Sequence, residues 1–269
     1  MGDEVKRLHL TLSDKSTLLP QNEITRAVAI KLSEEGIPVE TAKTCDDVGV
    51  QMSGSNIRKA KSLNIRIKVK GADRAKRTRA LVKTNKEAMK LTMTGTHPTQ
   101  SYGHQAQGAS TAQMLDMKKN IKDTTPCAGS RACSTTVLAW QFGPNANPLV
   151  RCPLEQIDMW VQTWKATTRE ERHDTRYTWQ KHLTIFLSSG KHLNSMGPAA
   201  GTINAILRAG WKPARPDLWQ VDDSTQVVLD NKPFSRFQVI ARAFHDLQGK
   251  VWAKAAEHEH GGGLETGVP

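Results

Sequence analysis

Apolar positions along this chain fall in short periodic runs separated by polar stretches and Gly/Pro breaks. Leu8, Leu10 and Leu12 alternate with polar residues, a period of two that predicts a strand, and Leu18 and Leu19 stop at Pro20. Asn22 is placed to cap a helix on which Ile24, Val28 and Leu32 share one face, with Gly36 as its stop. After Pro38 come Val39 and then Val48, Val50 and Met52, an alternating strand closed by Gly54. Residues 72–94 predict a helix that buries Ala80, Leu81, Ala88 and Leu91 and stops at Gly95, and the polar stretch 96–108 reads as a loop.

Beyond it the rhythm is helical. Ser110 starts a helix with Met114, Leu115 and Ile121 at helical spacing. Pro153 stands at a first-turn position ahead of Leu154, Ile157, Trp160, Val161 and Trp164, a wide apolar stripe. Thr168 and Glu171 fit a capping box for a helix running through Tyr177 and Leu183 towards Gly190. A shorter helix spans Ala199 to Arg208 and ends near Gly210. Pro233 opens the last one, where Phe234, Phe237, Ile240, Phe244, Leu247, Val251 and Trp252 keep a three-and-four spacing. No fixed-period repeat and no heptad seam are present. The expected fold class is α+β, mostly helical, with a small N-terminal β-α-β unit followed by helical regions.

Composition divides the same chain. There is no Phe, Trp or Tyr before Tyr102, and nearly all of them lie beyond residue 139. The formal charge is +12, and its distribution is uneven. Thirteen cations stand between Ile57 and Thr92: Arg58, Lys59, Lys61, Arg66, Lys68, Lys70, Arg74, Lys76, Arg77, Arg79, Lys83, Lys86 and Lys90. Only Asp73 and Glu87 oppose them, which leaves +11 in this block and +1 in the rest of the chain. Four regions follow: 1–55, a basic region 56–125, a Trp-rich region 126–258, and a disordered tail 259–269.

The block has too few acids for the i,i+4 pairs that stabilise an ordinary charged helix. A phosphate backbone would relieve the repulsion within it, so nucleic acid is the expected partner, RNA, DNA or a hybrid. A membrane partner is not expected, since no apolar run approaches the ~20 residues of a spanning helix. The first residues carry Asp3 and Glu4 and no apolar core, and Lys6 stands where a myristoylation motif needs Ser or Thr. With four cysteines among 269 residues, the expectation is an intracellular protein, nuclear or cytoplasmic, and not a secreted one.

Catalytic patterns are sparse. Asp46–Asp47 and Asp222–Asp223 are adjacent acid pairs, but neither has an aromatic two residues before it, and both read as solvated turns. Cys127, Cys133 and Cys152 are too loosely spaced for the paired ligands of a zinc site and read as small buried thiols, with zinc binding left open. His258 and His260 flank Glu259 in a Gly-rich tail. Trp160 and Trp164 share a stripe with Ile157 and Val161, the pattern of a core rather than of base-stacking platforms. No phosphate-binding loop, nucleophile elbow or H-E-x-x-H motif occurs.

Several short stretches, in order, resemble non-LTR (LINE-type) retrotransposon reverse transcriptases. L-S-D-K-S-T at 12–17 is similar to the stretch after the catalytic hairpin. D-D-V-G-V-Q-M at 46–52 is similar to the primer-grip strand pair, with Asp47 and Val48 at the family's Tyr and Leu positions. The basic segment falls where the thumb would. T-G-T-H-P-T-Q-S-Y-G-H-Q-A-Q-G at 94–108, and 197–211 with 216–223, resemble regions between thumb and ribonuclease H in retroelement polyproteins of protist genomes.

The resemblance implies the end of a palm, a thumb and a helical connection, without the metal-binding aspartates. It makes Val48, Gly49 and Val50 primer-grip-like, Lys15 a lysine on the pyrophosphate side, and Mg²⁺ a cofactor of the missing palm only, so this chain would hold none and be inactive alone. The expected function is a non-catalytic C-terminal part of an RNA-directed DNA polymerase that binds template–primer. The alternatives are a free-standing nucleic-acid-binding protein, a decayed retroelement product without function, or a metal-dependent nuclease using Asp222, Asp223 and His245.

Overall fold

A computed structural model describes residues 17–19, 23–36, 40–42, 44–47, 50–53, 61–189, 197–230 and 235–257. They divide into two compact units, Met1–Ile57 and Arg58–Pro269. The expected first strand at 8–12, Lys15, Val48, Gly49, Arg58, Lys59, Pro233, Phe234 and the tail lie outside the described residues.

In the first unit, β1 (Thr17–Leu18) and β2 (Glu40–Thr41) pair in parallel on either side of α1 (Glu23–Glu34), a β-α-β arrangement. Glu23 in the first turn of α1 and Lys31 in the last complement the helix dipole. Gly36, with φ +74°, closes it in the left-handed region. The buried line runs through Ala29 and Leu32. Val28, expected on that face with Leu32, is exposed, and its neighbour Ala29 takes the covered position.

β3 (Thr44–Asp47) and β4 (Val50–Ser53) form an antiparallel pair, with Asp47 opposite Val50 and Asp46 opposite Gln51. Asp46–Asp47 therefore lie on a strand, not in a solvated turn, because this ladder takes up the backbone of both residues.

The second unit is mostly helical with one three-stranded antiparallel sheet. It opens with a continuous helical rod: α2 (Lys61–Ile65), a π turn over Arg66–Gly71, and α3 (Ala72–Thr84). Asn85 breaks the rod in extended backbone, and its side chain accepts from the Glu87 N–H to start a 3-10 turn over Lys86–Met89. A π turn over Thr92–Thr96 then leads into α4 (His97–Ser101) and, past left-handed Gly103, α5 (His104–Gln107).

The stretch expected as a loop is thus helical, and Gly95 does not stop the chain. The polar side chains of His97, Gln100, His104 and Gln107 are buried there, and each makes at least one hydrogen bond. Gln100 Nε2 donates to the Met117 carbonyl, and its Oε1 accepts from Asn120 Nδ2.

Next come α6 (Thr111–Asp123), α7 (Ser134–Phe142), α8 (Pro148–Ala166), α9 (Arg169–Ser189) and α10 (Pro198–Ala209). The chain then forms β5 (Lys212–Arg215), β6 (Leu218–Gln220), β7 (Gln226–Val228) and α11 (Arg236–Ala256). Ser110 and Gln113 close a full capping box on α6, and Ser235 and Gln238 do the same on α11. Thr168 and Glu171 exchange the same bonds at α9. α8 begins at Pro148, with Asn147 as its cap, so Pro153 sits inside the helix and not at its start.

α8 is the central element, with α6, α10 and α11 packed against it. The main core gathers Ile157, Trp160, Val161, Trp179, Ile203, Ile206, Trp211, Trp219 and Val239. Trp160 and Trp179 lie 5.0 Å apart, and Trp164 is also buried, so these rings pack rather than offer a stacking face. Phe237, which shares the three-and-four spacing of the last helix, is 80% exposed.

Candidate nucleic-acid interface

The rod exposes its cations because of what its other face must do. Its buried positions are Leu63, Ile67, Gly71, Ala75 and Thr78. A four-residue spacing drifts about 40° per step around an α-helix of 3.6 residues per turn. The intervening π turn is wider and absorbs part of that drift, so one side stays against the protein across all three segments.

Leu63 and Ile67 join Met114, Met117 and Cys152 in a second apolar cluster, which ties the rod to α6 and α8. Each contributes roughly 1.5–3 kcal/mol of burial. The expected buried face through Ala80, Leu81 and Leu91 is not the one used: Leu81 is 50% exposed and Leu91 45%. Small residues, Gly71, Ala75 and Thr78, bring the rod close to α4 and α6 instead.

Lys61, Lys68, Lys70, Arg74, Lys76, Arg77, Arg79 and Lys83 are exposed along the rod, and Lys86 and Lys90 follow it. Lys76, Arg79 and Lys83 stand at i, i+3 and i+7, one stripe of α3. Among the described residues, Asp116 lies 4.0 Å from Lys68 and Glu87 pairs with Lys90. The Lys90 amine is held above its ordinary range, chiefly by the hydrogen bond to Glu87. Among the described residues, Lys70, Lys76, Arg77, Arg79, Lys83 and Lys86 enter no ion pair. Arg74 donates to the Gly95 carbonyl at 3.4 Å, and Arg66 lies 4.6 Å over the Tyr102 ring.

The rod is roughly 35 Å long, about one turn of a duplex. Along it the exposed cations Lys70, Lys76, Arg77, Arg79 and Lys83 are placed to neutralise several phosphates. The chemistry available is electrostatic and sequence-independent. Tyr102 was not legible as part of this surface, since a single Tyr in a Gly/Gln-rich stretch carries no periodic signal. Val50, in the other unit, is half-buried opposite Asp47.

The remaining candidates do not assemble. Asp222 and Asp223 lie in an exposed bend between β6 and β7. Asp222 Oδ1 accepts from the Ser224 and Thr225 N–H groups, and its other oxygen faces Arg242. His245 is exposed and pairs with Asp246. Cys127 and Cys133 are half-buried, while Cys152 is buried with Sγ 3.9 Å from Met117 Sδ. Among the described residues no group of three His, Cys, Asp or Glu side chains is placed to hold a metal, and no helix is long and apolar enough to cross a membrane. No family model, curated protein or solved structure is similar to this chain.

Proposed function

We propose that this chain binds nucleic acid along the cation-bearing rod and the turn after it, residues 61–90, without reading base sequence. The observation that carries the reading is the one-sided burial of the rod. With Leu63, Ile67, Gly71, Ala75 and Thr78 turned inward, the cations occupy the remaining faces, and among the described residues Lys70, Lys76, Arg77, Arg79, Lys83 and Lys86 have no acid paired with them.

In the fuller form of the proposal, the chain is a non-catalytic C-terminal part of a retroelement RNA-directed DNA polymerase, and the rod holds template–primer as a thumb would. The antiparallel pairing of β3 and β4 on either side of positions 48–49 supports assigning Val48, Gly49 and Val50 to a primer-grip-like strand pair. Lys15 is assigned to the pyrophosphate side on the sequence likeness alone. Any divalent metal would belong to a palm that this chain does not supply.

The test is fluorescence anisotropy with a labelled RNA–DNA hybrid at about 50 mM salt. Binding is expected for the native chain, and Lys76→Glu with Arg79→Glu and Lys83→Glu should abolish it. Equal binding by the triple variant would overturn the assignment to the rod.

A further inference from the structure

α6, α7, α8, α10 and α11 surround a cavity of about 440 Å³ on a part of the molecule that the rod does not use. That volume lies within the range of small-ligand sites. Its lining combines apolar Leu115, Leu149, Leu247 and Val251 with the cations Lys118, Arg131, Arg208, Lys250 and Lys254, and no Asp or Glu is among the described lining residues.

Two of these cations are held in unfavourable surroundings. Lys118 is 8% exposed, and its Nζ donates to the Thr135 hydroxyl at 2.7 Å, a neutral partner. Burial holds its amine below the ordinary lysine range. Arg208 donates to the Thr111 hydroxyl, while its Nε is buried without a partner. A buried cation without an anion carries a desolvation cost that a bound anion would offset.

The wall already favours negative charge at one point. Burial alone would raise the Cys133 thiol, but hydrogen bonds from Thr136 and Thr135 and the nearby Lys118 ammonium outweigh it and hold the thiol below its usual value.

We propose that this cavity binds a small organic phosphate, its apolar body against Leu115, Leu149 and Leu247 and its phosphate against Lys118, Arg208 and Lys250. The mixed apolar and cationic lining selects for a ligand with both parts. An inorganic anion would leave the apolar wall in water, and a neutral hydrophobe would leave the cations unpaired. The site is independent of the rod.

Isothermal titration calorimetry of the whole chain with 1-naphthyl phosphate and with inorganic phosphate tests this. Binding of 1-naphthyl phosphate at one site is expected, at least tenfold tighter than inorganic phosphate. Lys250→Gln with Lys254→Gln, both exposed positions, should weaken 1-naphthyl phosphate at least fivefold. Leu115→Ser, half-exposed, should weaken 1-naphthyl phosphate but not inorganic phosphate. Lys76→Gln with Arg79→Gln and Lys83→Gln should change neither. Equal affinities for the two phosphates, no heat with millimolar 1-naphthyl phosphate, or an unchanged affinity in the Lys250/Lys254 variant would overturn the proposal.

Discussion

Gly71 and Gln100 meet so closely that a Cβ at position 71 would lie 3.0 Å from both Cβ and Oε1 of the Gln100 side chain. The same atom would be 3.0 Å from the Arg66 carbonyl. Gln100 is buried and held from two sides by Met117 and Asn120, so it has little room to yield. This contact seats the cationic rod on α4.

Gly71→Ala should therefore destabilise the second unit by about 1–3 kcal/mol, although alanine is the better helix former. Gly95→Ala is the control, since a Cβ there meets only Arg74 Nη1 at 3.6 Å. Thermal unfolding followed by circular dichroism should show a lower midpoint for the first variant and an equal or slightly higher one for the second. Equal midpoints for Gly71→Ala and the native chain would show that the seat is looser than described.

Acid should weaken the fold through the buried histidines. Burial, followed by the charge of Arg151, pushes His97 down to about 3, and burial also lowers His104. His97 is neutral in the folded chain near pH 5, whereas an unfolded histidine takes up a proton below about 6.5. The unfolded state then binds more protons, so stability is complete above that value and is lost as pH falls from 6.5 towards 3. The loss at pH 5 is on the order of 2 kcal/mol for His97. Urea midpoints at pH 7 and pH 5 should differ for the native chain and differ less for His97→Gln. An equal difference in both would locate the acid sensitivity elsewhere.

The indole of Trp211 donates to Asp246 Oδ2 at 2.8 Å, and Arg242 donates to the same oxygen at 2.9 Å. Removing that acceptor leaves a buried N–H unpaired. Asp246→Ala should cost about 1–3 kcal/mol, and Asp246→Asn, which keeps an acceptor oxygen, should cost less. Chemical denaturation followed by Trp fluorescence gives the ranking, and an equal loss in the two variants would contradict it.

What could be read from the chain itself was local. The caps at Ser110 and Thr168, the stop at Gly210 and the stripe of Ile157, Trp160, Val161 and Trp164 are adjacent-residue chemistry, and they stand where their spacing puts them. The helices over 97–107 were hidden because their buried residues are polar. Gln100 bonds to Met117 and Asn120, and His104 lies 3.3 Å from Glu155, partners that periodicity along the chain cannot reveal. β5 was hidden as well, because its K-P-A-R segment has neither alternation nor β-branched residues.

Much the same holds for the two candidate sites. The cations of the rod fall in one block and could be counted directly, but beyond Leu63 and Ile67 the face they leave for packing is made of small residues, Gly71, Ala75 and Thr78, that carry little hydrophobic signal. The cavity draws Lys118, Arg208 and Lys250 from three separate helices, and only the packing of those helices brings them together.

The salt dependence of binding to an RNA–DNA hybrid tests the rod most directly. If five or more phosphates are neutralised, log Kd against log salt should have a slope of magnitude about 4 or more. Lys76→Gln with Arg79→Gln and Lys83→Gln should lower that magnitude by about 3. A slope near zero, or one that the three substitutions leave unchanged, would contradict the account.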